Sequence, residues 1–234
     1  SIDGTYYGTV LDEDLYGGDT PVKPRAIDNA PTVQADAIGA GSASFVAASS
    51  NYIDCGTAIG TALGNNYDLG LTATLWFKAD ITSGVDDGLF NIGLHAGANG
   101  DFSINLNSDT IIVKCADTTS SSTAFTDITS WHHVAAVFDG ANNMQYLYLD
   151  GVLKDDTVSA GTLDLHANKT IIGSYYNVGF GMDGNICQVG IWDEALTQAQ
   201  VQSVMEKTYD EFNVDDKTSL VSYWPLDVDA TDSH

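Results

Sequence analysis

The chain has 234 residues, 44% of them hydrophobic and only 17% charged, enough apolar material for one sizeable core and too little charge for disorder. Its 32 acidic and 8 basic residues leave a formal net charge of −24. The basic side chains are scattered without a cluster, which disfavours nucleic acid, heparin-like chains and anionic membranes as partners.

In chain order, the first 40 residues are turn-rich, with Gly17-Gly18-Asp19 and three prolines, and hold one short strand over Tyr6 to Leu11. Two short strands follow at Ser44 to Val46 and Tyr52 to Cys55, then a helical turn over Ala58 to Leu63. Leu69 to Lys78 (LGLTATLWFK) alternates with period two and reads as a long strand. Further strands are expected over Gly88 to His95, Asp101 to Leu106 and Thr110 to Cys115. The Ser/Thr run from Thr118 to Thr123 reads as a surface loop.

Ser130 to Gly151 (SWHHVAAVFDGANNMQYLYLDG) carries the strongest pattern. Two alternating runs joined by Asp139 to Asn143 and closed by Asp150-Gly151 predict a hairpin that feeds a third strand. Trp131, His133, Ala135 and Val137 share one face of the first run, while His132, Val134, Ala136 and Phe138 share the other. In the second run Leu147 and Leu149 point one way and Met144, Tyr146 and Tyr148 the other. Strands over Lys169 to Ser174, Asn185 to Trp192 and Leu220 to Leu226 complete the set. One helix is signalled by Thr197 as N-cap with Gln200 three residues on, and by the stripe Val201, Val204 and Met205. Many short strands with one short helix near the C-terminus predict an all-β fold, an antiparallel two-sheet sandwich.

WHHVAAVFDG…YLYLDGVL, then KTIIGSYY, then GMDGNICQVGIWDEALTQAQVQSVM together resemble the laminin G-like (concanavalin A-like) jelly-roll domain over about residues 42 to 207. The resemblance implies a domain over residues 1–218, with 219–234 either a closing strand or the start of a following repeat. It also implies an extracellular or virion-surface location. Such modules occur in bacterial surface proteins and in phage tails and fibres, where the partners are glycans, cell-surface ligands or other virion and surface-protein subunits. Many relatives place a calcium-holding acid in the last long strand; here Cys187, Gln188 and Val189 occupy those positions.

The fold also hosts glycosidases, whose paired carboxylates sit close together on a sheet. Only Glu13, Glu194, Glu206 and Glu211 are glutamates, none of them spaced as a pair on a strand, so no enzyme is expected. His132 and His133 are adjacent on a strand, face opposite ways, and read as packing. Cys55, Cys115 and Cys187 make no metal spacing; they read as buried thiols, with a bridge between Cys55 and Cys187 left open. No leader or membrane-spanning run is visible, so no membrane insertion is expected.

Calcium is the metal the residues suit, because short Asp carboxylates in turns offer hard oxygens. The candidate set is Asp12 and Asp14, with Asp183 joining them if the N-terminal strand lies beside the last long one. The best loop for a sugar is Ser174 to Met182, where Tyr175, Tyr176, Asn177 and Phe180 stand among glycines. The expected function is a non-catalytic module that binds carbohydrate or another surface ligand; the alternative is a structural spacer or decoration domain of a phage fibre, tail or capsid.

Overall fold

The computed structural model describes residues 5–7, 38–39, 41–49, 51–64, 70–81, 86–93, 102–115, 120–159, 163–165, 168–175 and 180–227. Asp12, Asp14, Tyr176 and Asn177 lie outside them. The strands in chain order are β1 (Thr5–Tyr7), β2 (Ala43–Phe45), β3 (Tyr52–Asp54), β4 (Leu71–Ile81), β5 (Asp87–Ile92) and β6 (Phe102–Asn107). Then come β7 (Thr110–Cys115), β8 (Ser120–Ala124), β9 (His132–Asp139), β10 (Met144–Leu149) and β11 (Val152–Val158). The last are β12 (Thr170–Ile172), β13 (Ser174–Tyr175), β14 (Phe180–Gly181), β15 (Asp183–Trp192) and β16 (Leu220–Trp224). Two α-helices are described, α1 (Ala58–Leu63) and α2 (Gln198–Met205).

These strands form two antiparallel sheets packed face to face. One has nine strands, in the order β1-β3-β12-β5-β6-β7-β8 with β13 and β14 attached beside β5. The other has seven, in the order β11-β10-β9-β4-β15-β16 with β2 also on β15. The side-chain period of two decides what lies between them. Leu75, Phe77, Val134, Ala136 and Leu147 of one sheet meet Phe90, Ile104 and Val113 of the other in one buried cluster. The hairpin is built as its alternation predicts: β9 pairs β10 with Tyr148 opposite Ala135 and Leu147 opposite Ala136.

The opposite face of the seven-stranded sheet is apolar as well, and α2 covers it. Val201 and Val204 pack with Ala135, Val137, Tyr148 and Trp192 in a second buried cluster. A helix of eight residues has little stability alone, and each such side chain contributes about 1.5–3 kcal/mol when fully buried. The capping box forms as expected: Thr197 Oγ1 accepts from Gln200 N at 3.3 Å, and Gln200 Oε1 accepts from Thr197 N at 2.9 Å.

Two expectations are corrected. The run from Thr118 to Thr123 is not a loop throughout, since Ser120–Ala124 is the edge strand β8, paired with β7 from Lys114 to Thr110. Its hydroxyl side chains hid a period of two that Ser121, fully buried between exposed neighbours, reveals. Nor does the N-terminal strand lie beside the last long one: β1 pairs with β3 in the other sheet. β15 has no edge left for it, being flanked by β4 on one side and by β2 and then β16 on the other.

Candidate functional site

The two outer faces of the sandwich differ in chemistry. The face of the seven-stranded sheet is sealed by α2 and the aromatic side chains of Phe212 and Tyr223. The outer face of the nine-stranded sheet is polar. A single register row crosses it: Asp54 opposite Ile171, Ile171 opposite Asn91, Asn91 opposite Ser103, Ser103 opposite Lys114, and Lys114 opposite Ser120. One step along β6, Asn105 lies opposite Gly88 and Ile112.

The polar atoms of this face are only partly satisfied. Asn105 Nδ2 donates to Ser103 Oγ at 3.0 Å. The Oδ1 of Asn105, and both Nδ2 and Oδ1 of Asn91, are buried without a hydrogen-bond partner, as is Ser174 Oγ. Asn91 is 1% exposed and Asn105 0%. A buried polar group left unpaired costs about 1–3 kcal/mol, and the same condition recurs elsewhere in the described residues, at Asn51, Ser121, His133, Gln145, Thr170 and Gln188.

The loop singled out from the sequence sits against this same row. A Cβ on Gly88 would come within 1.8 Å of Tyr175 N and 2.1 Å of Ser174 C, so β13 lies directly on β5, where only glycine allows the approach. Tyr175 is 3% exposed, and its ring centroid lies 6.3 Å from that of Phe180. Lys114 Nζ stands 5.3 Å from the Tyr175 ring centre and pairs with Asp86 Oδ2 at 3.0 Å. Asp86 Oδ1 in turn accepts from Asn107 Nδ2 at 3.1 Å. Phe180 is 36% exposed, so of the two described aromatics in the loop it is the one that presents a face to solvent. Sequence reasoning missed Asn91, Ser103, Asn105 and Lys114. The alternation of Ser103, Asn105 and Asn107 in FSINLN was the available signal.

Asp183 is occupied in a structural way. Its Oδ1 accepts from Ala47 N at 2.8 Å and holds the end of β2 to the start of β15. Among the described residues no group of three His, Cys, Asp or Glu side chains gathers to hold a metal ion. Cys187, at the position of the relatives' acid, is buried, with Sγ 3.9 Å from Ile38 O; burial, with Asp227 adding to it, pushes the thiol well above its ordinary range. This pocket favours a neutral thiol and offers no ligand set. All three cysteines are buried thiols, and Cys55 and Cys187 form no bridge. Two glutamates near the helix have local structural partners: Glu194 Oε1 accepts from Gln200 Nε2 at 3.1 Å, and Glu211 Oε2 accepts from Thr208 N at 3.1 Å in a capping box.

A family model described as the concanavalin A-like lectin/glucanases superfamily matches residues 48–202. The chain belongs to this superfamily. No curated protein sequence matches it. Among solved structures, this concanavalin A-like chain is similar in fold to domain 4 of AbnA, a GH43 extracellular arabinanase from Geobacillus stearothermophilus, in complex with arabinotriose. That match has 18% identity and a TM-score of 0.55, over 87% of this chain and 99% of that one. It is also similar to the CBM40 of an IT-sialidase from Ruminococcus gnavus, at 12% identity and TM-score 0.51, over 62% of this chain and 85% of that one. A third is a putative carbohydrate binding protein from Bacteroides ovatus ATCC 8483, at 15% identity and TM-score 0.52, over 68% of this chain but only 46% of that one. No helix among the described residues of this concanavalin A-like chain is long and apolar enough to cross a membrane.

Proposed function

We propose that the chain is a non-catalytic carbohydrate-binding module of a secreted or virion-surface protein. The observation that carries this reading is the contrast between the two outer faces: one sealed by α2, the other polar, with buried unpaired amides beside the exposed ring of Phe180. A sugar ligand needs such a combination, hydrogen-bonding amides next to an aromatic ring. The solved relatives add support, since one was solved with arabinotriose and another is the CBM40 of a sialidase. The ligand-contacting loop carries Tyr175, Tyr176, Asn177 and Phe180; Phe180 stacks on the sugar, and the buried Tyr175 supports it from below.

Calcium assistance through Asp12 and Asp14 belongs to the same reading; Asp183, the third acid of the candidate set, stands on β15, which the N-terminal strand does not flank. The described part of the set supplies one carboxylate, with one of its oxygens already engaged by Ala47 N, so this chain's fit to the ion rests on the other two acids. The rival reading, a structural spacer or decoration domain of a phage fibre, tail or capsid, draws on the three thiols that form no disulfide, which fit a particle assembled in a reducing cytoplasm.

A glycan array probed with the wild-type chain in calcium, and again in chelator, tests these readings together. Binding that Phe180→Ala weakens at least tenfold supports the module and its loop. Binding unchanged by chelator removes the calcium set. No binding in either condition sinks the sugar reading and leaves the structural one.

A further inference from the structure

We propose that the outer face of β10 and β11 is a docking surface for an apolar segment of a partner protein that carries a central lysine or arginine. This face belongs to the seven-stranded sheet, opposite the polar face, so its occupant is independent of a sugar.

The seal that α2 lays on the seven-stranded sheet ends at Tyr148. Gln198 Nε2 and Gln202 Nε2 both donate to Gly151 O at 3.0 Å and hold the helix at the turn between β10 and β11. Beyond that contact the register sorts the face into three rows: Met144 opposite Val158, Tyr146 opposite Asp156, and Tyr148 opposite Leu153. Leu153 and Asp156 are three residues apart and share the face only because Lys154 is taken up in a bulge against Leu147 and Tyr148. Leu153 is 39% exposed and Val158 63%. A lone exposed apolar side chain is ordinary, but these two flank one carboxylate on an edge strand and border the half-buried Met144 and Tyr146.

The middle row chooses the occupant. Asp156 is exposed, and no cationic side chain among the described residues pairs with it. Asp139, opposite Met144, is instead engaged by Asn142 N at 3.1 Å and Asn142 Nδ2 at 2.7 Å. The Tyr146 ring beside Asp156 lies 6.5 Å from that of Tyr148. Burial, with the charges of Asp139 and Asp156, raises the Tyr146 pKa, so a negative field surrounds that ring. A lysine or arginine set there gains a carboxylate and an aromatic face together. Successive rows lie about 7 Å apart, the spacing of alternate side chains in an extended chain. The complementary segment therefore reads apolar, any residue, Lys or Arg, any residue, apolar. A second copy of this chain is disfavoured as occupant, because each copy carries a net charge of −24.

Amide spectra of the ¹⁵N-labelled wild-type chain, titrated at physiological salt with the peptide Leu-Ser-Arg-Ser-Leu and separately with Leu-Ser-Glu-Ser-Leu, test the surface. The arginine peptide should shift the amides of residues 144–158 saturably, and the glutamate peptide should not. Asp156→Asn should weaken the arginine peptide about fivefold, and Val158→Ser by about the same factor. Both positions are exposed, so both variants should fold. Asp215→Asn, at an exposed acid just before β16 on the far edge of the same sheet, should change nothing. No saturable shift, equal shifts by the two peptides, or full binding by Asp156→Asn overturns the proposal. Equal weakening by Asp215→Asn also overturns it, since the peptide would then answer to net charge alone. A dimer in sedimentation that Val158→Ser disrupts overturns it in favour of a second copy. None of these outcomes touches the sugar reading, which the glycan array decides.

Discussion

Asp150 holds His132 and the strand that carries it: Asp150 Oδ2 lies 2.9 Å from His132 Nδ1, and Asp150 Oδ1 accepts from His133 N at 2.9 Å. The other ring nitrogen, His132 Nε2, lies 2.8 Å from Asp127 O. Both ring nitrogens therefore face acceptors, and only the doubly protonated ring donates to both. Burial alone would lower the His132 pKa, but the hydrogen bond and charge of Asp150, with the Asp127 carbonyl, outweigh it and raise the pKa. Its neighbour on the opposite face goes the other way. His133 packs edge-on against Trp76 with centroids 5.4 Å apart, and burial, opposed only by the charge of Asp150, pushes its pKa down to about 3.

The pair predicts a stability optimum. His132 binds its proton more tightly when folded, so its contribution is fully present below the unfolded histidine pKa of about 6.5 and is lost as pH rises through the raised folded value. His133 binds its proton less tightly when folded, so stability falls as pH drops from about 6.5 toward its folded value of about 3. Urea melts across pH should show a maximum near the unfolded value. His132→Gln should flatten the alkaline limb and His133→Phe the acid one.

Asp216 is the hub of the segment that follows α2. Its carboxylate accepts from Ser203 Oγ at 2.8 Å, Lys207 Nζ at 2.6 Å and Asn213 N at 3.0 Å, while its backbone oxygen accepts from Trp192 Nε1 at 2.8 Å. Burial would raise its pKa, but these donors, Lys207 first, hold it below the usual carboxylate range. Asp216→Ala leaves three donors without their acceptor and should cost about 2–3 kcal/mol in chemical denaturation. The loss should shrink as pH falls through the lowered pKa, because the wild type then loses the same charge.

Gly88→Ala should test how the loop is seated. The new Cβ would meet the backbone of Ser174 and Tyr175, which cannot rotate away as a side chain can. A cost of about 1–3 kcal/mol is expected from such overpacking, together with a change in Tyr175 fluorescence or ring resonances. An unchanged melting curve would mean that β13 moves off β5 freely.

Thr197→Ala should cost about 1 kcal/mol, because the first turn of α2 then loses its side-chain acceptor. The loss should be visible in thermal melts and should not alter glycan binding, since α2 lies on the sealed face.

Local pattern made much of the fold legible. Period-two alternation placed β9 and β10 and sorted Val134 from Ala135, and the Thr197 to Gln200 spacing predicted a cap that forms as expected. The candidate site was less legible. GLFNIGLH reads as an apolar strand in which Asn91 is a single exception, and Ser174 to Met182 reads as a loop that could expose any of its aromatics. Burial separated Tyr175 from Phe180, and that followed from the crossing over Gly88 rather than from residue type.

The sequence by itself determined that the chain folds as two sheets about one core, because alternation and turn chemistry act between residues close along the chain. Only the tertiary structure decided which faces were sealed and which residues met. Asp54, Asn91, Ser103 and Lys114 come from four different strands, and they form one row because backbone hydrogen bonds fix their register. That register is a property of paired strands, so no single strand carries it.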